Sequence, residues 1–147
     1  MRATTQHNPE FAPGYDWLGM AYVQEKRFDD SIATYEKAVR LSGGLAEILA
    51  GLGHAYALAG QHEEARNVLE QLRKMDHRWY VPPVQIAYVH VGLGEYDEAF
   101  QLLERACQER SWELVFLQVE PWFDCLRSDC RYVELIKKIK FPQQHRE

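Results

Sequence analysis

The sequence predicts an all-α protein, a stack of helix-turn-helix hairpins closed by a C-terminal capping helix, and three observations predict it. The first is a repeat of 34 residues. Leu18-Gly19-Met20-Ala21-Tyr22, Leu52-Gly53-His54-Ala55-Tyr56 and Ile86-Ala87-Tyr88-Val89-His90 fall at that spacing without a gap, and a fixed period of about 20–50 residues marks a repeat architecture. The second is apolar spacing at helical steps inside the units, as in Leu18, Ala21, Tyr22 and Val23 and again in Ile32, Tyr35 and Val39. The third is an ordinary globular composition: 147 residues, 46% hydrophobic and 27% charged, exclude disorder, a collagen-like chain and a disulfide scaffold. A chain of this length buries roughly two thirds of its unfolded surface without metals or disulfides.

Each unit is predicted to hold two helices. In the first, residues 12–45, the turn is Lys26-Arg27-Phe28 and the second helix carries Ser31, Tyr35 and Ala38. The second unit, 46–79, repeats this with Gly60-Gln61-His62, Ala65, Leu69 and Leu72, and the third, 80–113, with Gly94-Glu95-Tyr96, Ala99, Leu103 and Ala106. Gly60 and Gly94 stand where one helix ends and the next begins, and Asp29 and Asp97 fall in the following first turn, where acids suit the helix dipole. Gly19 and Gly53 each cost roughly 1 kcal/mol relative to Ala inside a helix, so both predict close approach by the paired helix. One hairpin cannot bury its apolar face alone, so the units stack and the ends need caps.

After residue 113 the period lapses. Trp112–Leu117 is a short apolar stretch, Pro121–Asp129 follows, and Tyr132, Leu135, Ile136 and Ile139 recur at helical spacing. Asp129 is placed as an N-cap and Pro142 closes the segment, so residues 114–147 read as a cap with a helix over about 129–140. Residues 1–11, with Asn8-Pro9, read as the stump of a preceding repeat or a linker.

The repeated residues resemble the tetratricopeptide repeat family, whose pattern runs Trp-x2-Leu-Gly-x2-Tyr, then Ala-x3-Phe, then Pro. The resemblance covers residues 12–113. Lys26 stands where the turn Gly is usual, Ser31 where Ala is usual and His90 where Tyr is usual; Gly43, His77 and Ser111 replace the terminal Pro, and Pro83 lies near the start of the third unit. The resemblance implies a right-handed superhelical solenoid whose first helices line a concave groove. On that groove would lie Asp16, Met20 and Val23 from the first unit, Glu47, Ala50, His54 and Ala57 from the second, and Val84, Gln85, Tyr88 and Val91 from the third. Some members of the family bind the acidic C-termini of chaperones through Lys, Arg and Asn side chains. The matching positions here hold Asp16, Met20, Gly51, Val81 and Gln85, which leaves no cation for a terminal carboxylate. The tail, from Glu109-Arg110-Ser111-Trp112 through Phe123–Asp129 to Leu135-Ile136-Lys137-Lys138, resembles the C-terminal ends of repeat arrays in bacterial multidomain regulators. That likeness implies the C-terminal piece of a longer bacterial protein, attached to winged-helix, kinase or cyclase domains.

The function expected is protein–protein interaction: a peptide segment or a neighbouring domain held in a largely apolar groove, with Met20, His54 and Tyr88 as its larger side chains. The alternative is a structural element that self-associates into homo-oligomers. An enzyme is not expected. Gly51-Leu52-Gly53 lacks the third glycine of a dinucleotide turn, there is no Gly-Lys-Ser/Thr phosphate loop and no His-Glu-x-x-His, and Cys107 has no His at a supporting spacing. Neither a metal nor a cofactor is expected, with His54, His90 and His62-Glu63-Glu64 reading as packed or solvated side chains. A net charge of -5 and a pI near 5.7 argue against nucleic acid, and Lys137, Lys138 and Lys140 read as a solvated helix face. No apolar run reaches the roughly 20 residues of a membrane span, and Met1–His7 has no signal-peptide core. Cys107, Cys125 and Cys130 read as reduced thiols, which places the chain in the cytoplasm, with a Cys125–Cys130 bridge across a turn as the alternative.

Overall fold

The structure is a computed structural model and describes residues 11–139. Six α-helices pair into three hairpins: α1 (Ala12–Gln24) with α2 (Phe28–Ser42), α3 (Ala46–Leu58) with α4 (His62–Asp76), and α5 (Pro83–Gly92) with α6 (Tyr96–Gln108). Two 3-10 segments, Trp112–Phe116 and Pro121–Leu126, lead into α7 (Cys130–Lys138). No strand occurs among the described residues, and the molecule is a solenoid of helical hairpins. The stump expected over 1–11 lies, except for Phe11, outside the described residues, as do Lys140 and Pro142.

Every hairpin turns in the same way. Lys26, Gly60 and Gly94 take the left-handed backbone at φ 58°, 80° and 73°. The next N–H then reaches back five residues, Arg27 to the Tyr22 carbonyl, Gln61 to Tyr56 and Glu95 to His90, each at 2.9 Å. This closes the carbonyls at the end of each first helix. Glycine takes that backbone freely, whereas the Cβ of Lys26 meets the following carbonyl at a cost of roughly 1–2 kcal/mol. The second helices open on paired acids, Asp29 with Asp30, Glu63 with Glu64 and Asp97 with Glu98, against the positive end of the helix dipole.

Packing accounts for the helical glycines. Tyr35 is fully buried between the first two hairpins. A Cβ at Gly19 would come within 2.7 Å of its ring, and one at Gly51 within 2.5 Å. A Cβ at Gly53 would meet Val68 and Val89 at 2.9 Å. The close approaches expected at Gly19 and Gly53 are present, and Gly51, which the repeat pattern does not mark, makes the tightest. Ser31 is fully buried and donates its hydroxyl to the Gly19 carbonyl at 2.9 Å, which satisfies the polar group it brings in place of the usual Ala.

The core runs through the stack as three clusters. One gathers Tyr35, Ile48 and Leu52, the next Val68, Leu69, Leu72 and Val89, and the third Phe100, Leu103, Leu117, Phe123, Leu126 and Leu135. The tail therefore shares its core with the third hairpin. Its departure from the period is local: α7 begins at Cys130, 34 residues after Tyr96 begins α6. Two ion pairs tie the helices at that same offset, Arg131 to Asp97 at 2.5 Å and Lys138 to Glu104 at 2.7 Å. The segment Pro121–Leu126 packs on α5 and lies 34 residues on from its last six residues, so it stands where the second half of a fourth first helix would lie. Pro121, which has no N–H to continue an α-helix from Trp112, separates the two 3-10 segments. Asp129 caps α7 as expected, accepting the Arg131 N–H at 2.9 Å.

Candidate functional site

The first helices α1, α3 and α5 share the face on which the sequence leads one to expect a groove, and the tail crosses it. Trp122 lies flat on the His54 ring, with centroids 4.6 Å apart and planes 10° from parallel. It also meets Tyr88 edge-on at 4.6 Å, and Phe123 stacks on Tyr88 at 5.0 Å. His54 donates from Nδ1 to the Tyr88 carbonyl at 2.7 Å, joining α3 to α5. A carbonyl only accepts, so this bond fixes the proton on Nδ1. Burial lowers the His54 pKa to about 4, so the ring is neutral at pH 7 and offers Trp122 an uncharged face. Tyr88 is raised well above the usual tyrosine range, by burial first and then by Glu120.

Trp122 divides the face into two hollows. One, of about 440 Å³, is bounded by Val23, Lys26, His54, Val91 and Trp122. The other, of about 350 Å³, is bounded by Asp16, Met20, Glu47, Val84, Gln85 and Tyr88 from the first helices. Trp17 of α1 joins it, and the tail closes it with Trp112, Glu113, Phe116, Glu120 and Trp122. The second hollow therefore brings together six of the groove residues expected from the sequence. The first takes Val23, His54 and Val91, while Ala50 and Ala57 are buried in the core and reach neither hollow.

The tail occupies part of the face that the sequence leads one to expect as a largely apolar groove. The centre of that face is filled by the chain's own Trp122 and Phe123, and His54 is only 3% exposed. The reason is that His54 and Tyr88 present flat apolar area, and two aromatics on a neighbouring segment remove it from water. Repeat matching missed Trp112 and Glu113, which end the third unit at positions the repeat pattern does not mark, and Phe116, Glu120 and Trp122, which lie beyond the repeated units. The signal available was the pair Trp122-Phe123 behind a proline, which needs a surface to cover it.

Every charged side chain lining the second hollow is acidic. The Asp16 carboxyl is raised to about 7, by burial first and then by Glu47 and Glu120. Burial also raises Glu120. Among the described residues, none of Asp16, Glu47, Glu113 and Glu120 has a cationic partner. A larger hollow of about 640 Å³ between α6 and α7 is different, because its Asp97, Glu104, Arg105, Arg131 and Glu134 are all paired.

The other side chains singled out in the sequence are accounted for within the fold. His90 Nδ1 meets Glu95 at 2.7 Å, and Arg66 holds the same carboxylate at 2.6 Å. Cys107, Cys125 and Cys130 are free thiols, so the Cys125–Cys130 bridge does not form. Among the described residues, no helix is long and apolar enough to cross a membrane.

Family models described as tetratricopeptide repeat match residues 11–76 and 84–110, which cover α1–α4 and then most of α5 and α6. Superkiller protein 3 of Saccharomyces cerevisiae is 28% identical over 99 residues, 67% of this chain and 7% of that protein. The cytochrome c-type biogenesis protein CycH of Rhizobium meliloti is 29% identical over 109 residues, 69% of this chain and 27% of its own length. The protein CTR9 homolog of Arabidopsis thaliana is 33% identical over 92 residues, 62% of this chain and 8% of that protein. The chain thus spans a small part of each of these relatives. No solved structure matches it. Three hairpins turning alike at Lys26, Gly60 and Gly94, with two models of one repeat falling on them, place the chain in the tetratricopeptide repeat family.

Proposed function

We propose that the chain holds a partner polypeptide, either a peptide segment or a neighbouring domain, on its concave face and performs no reaction itself. Family membership supports a protein-interaction module. The observation that carries the choice of face is the seat of Trp122 on His54 and Tyr88, where this surface already accepts aromatic side chains from a length of chain. Beside that seat Trp17, Trp112 and Phe116 stay 49%, 68% and 42% exposed around one hollow. Aromatics grouped in this way are the residues a partner covers. The net charge of -5 favours a protein over a nucleic acid as partner, and three free thiols favour the reducing cytoplasm. The likeness of the tail to bacterial multidomain regulators makes a neighbouring domain of a larger bacterial protein one such partner.

The test is photo-cross-linking in the host cell, with benzoylphenylalanine placed at Trp17 or Phe116 on the concave face and at the exposed Gln71 of α4 as control. Adducts of defined mass from positions 17 and 116 and none from 71 are the expected outcome. Equal labelling from all three positions removes the concave face from consideration. An adduct of twice the chain's mass would instead establish self-association, the competing reading.

A further inference from the structure

The hollow beside Trp122 is selective in charge and in hydrogen bonding, and on the reading of the concave face just given it names the chemistry of the partner. We propose that it receives a lysine or arginine side chain of the partner polypeptide. Asp16 and Glu47 approach from α1 and α3, and Glu113 and Glu120 from the tail, with no cation among the residues that line it. Carboxylates from four separate stretches of chain facing one partly enclosed space repel one another, and the fold supplies nothing to offset this. The carboxyl of Asp16, raised to about 7 by burial first, registers in addition the repulsion of Glu47 and Glu120. An incoming cation removes the conflict and returns Asp16 to its ionised form.

A second, independent observation points to the same occupant. Trp122 lines the hollow and is only 8% exposed, yet its buried indole Nε1–H has no acceptor among the described residues. Gln85, also in the lining, has a buried Oε1 without a donor. Buried polar groups in a folded protein are nearly always paired, and these two are not. A guanidinium or ammonium carries the donors that Gln85 and the carboxylates lack. The backbone carbonyl of a peptide carries the acceptor that Trp122 lacks, so a polypeptide satisfies the lining where a free amine does not. Trp17, Tyr88 and Trp112 supply aromatic faces for the cation and its aliphatic stem.

The experiment begins with selection of random dodecapeptides displayed on phage against the full chain. Selected peptides are then titrated by fluorescence anisotropy and by NMR of the Trp122 indole. Enrichment of Lys or Arg at one position is expected, with the Trp122 indole resonance shifted on binding. Replacing that Arg by citrulline, or Lys by norleucine, should weaken binding at least about tenfold, as should Asp16→Asn with Glu120→Gln in a chain whose circular dichroism is unchanged. The peptide-side change alters no residue of the protein, so it decides the question even if the double variant unfolds. Peptides that shift Trp122 but bind equally well without the cation overturn this proposal and leave the concave-face reading standing. Peptides that leave Trp122 unshifted, or a selection that yields none, overturn both.

Discussion

Burial makes His54 the residue through which acid acts on this fold. Its folded-state pKa of about 4 lies below the 6.5 of an exposed histidine, so below pH 6.5 the unfolded chain takes up a proton that the folded chain refuses. Stability on this account is whole above pH 6.5, falls as pH drops from 6.5 to 4, and is fully lost below that. A slope of about 1.4 kcal/mol per pH unit makes the loss roughly 2 kcal/mol between pH 7 and 4.5. Asp16 works in the opposite sense. Its folded pKa of about 7 lies above 3.8, so the folded chain keeps a proton the unfolded chain has released, and stability rises as pH falls through the same window. The intact protein therefore shows a shallow acid response that hides both. We expect His54→Gln to uncover the Asp16 slope: in urea unfolding, the advantage of wild type over the variant shrinks by about 2 kcal/mol from pH 7 to 4.5. A difference that does not move with pH would show His54 to be solvated. The repeat register puts His54 on the correct helix and 34 residues from its partner Tyr88. Its burial was not legible, because the cover comes from Trp122, outside the repeated units.

At the scale of elements, the turns were the most legible feature, since Gly60 and Gly94 mark a left-handed backbone that few other residues take. Lys26 occupies the same turn with the same hydrogen bond from Arg27 to Tyr22, so its strain can be relieved without other change. Removing a cost of roughly 1–2 kcal/mol, set against the greater freedom glycine gives the unfolded chain, leaves a gain of about 0.5–1 kcal/mol. Lys26→Gly should therefore raise the urea midpoint at unchanged slope, and a lowered midpoint would mean that the lysine stem contributes packing worth more than the strain. Helix α7 was legible from Asp129 and from the spacing of Tyr132, Leu135 and Ile139. The two 3-10 segments were not, because Trp112–Leu126 lacks the repeat's small residues while Val115, Val119, Trp122 and Leu126 keep a helical spacing that Pro121 interrupts. Only the position of Pro121–Leu126, 34 residues on from the last six residues of α5, reveals the first helix that it replaces.

Across the whole molecule, Trp122 changes how the array holds together. In a simple solenoid each hairpin touches only its neighbours, and stability is a sum of nearest-neighbour terms. Here the tail, standing as the fourth unit, reaches past the third to stack on His54 of the second, and its Glu120 bears electrostatically on Asp16 of the first. A contact that skips a unit couples the tail to the second hairpin, so an opening of the tail or of the third hairpin away from the second must break it. Removing a buried Trp side chain costs about 3–5 kcal/mol when its site cannot collapse. Trp122→Ala should lower the unfolding free energy by about 3 kcal/mol and turn one cooperative transition into a broader one. Amide hydrogen exchange locates the effect: protection should fall in α5, in the tail and around His54 of α3, and hold in α2 and α4, which Trp122 does not touch. Uniform loss of protection across all hairpins would mean that the array has no separable units for Trp122 to join. Unchanged protection would mean that the tail does not close the concave face, and the acidic hollow it walls would go with it.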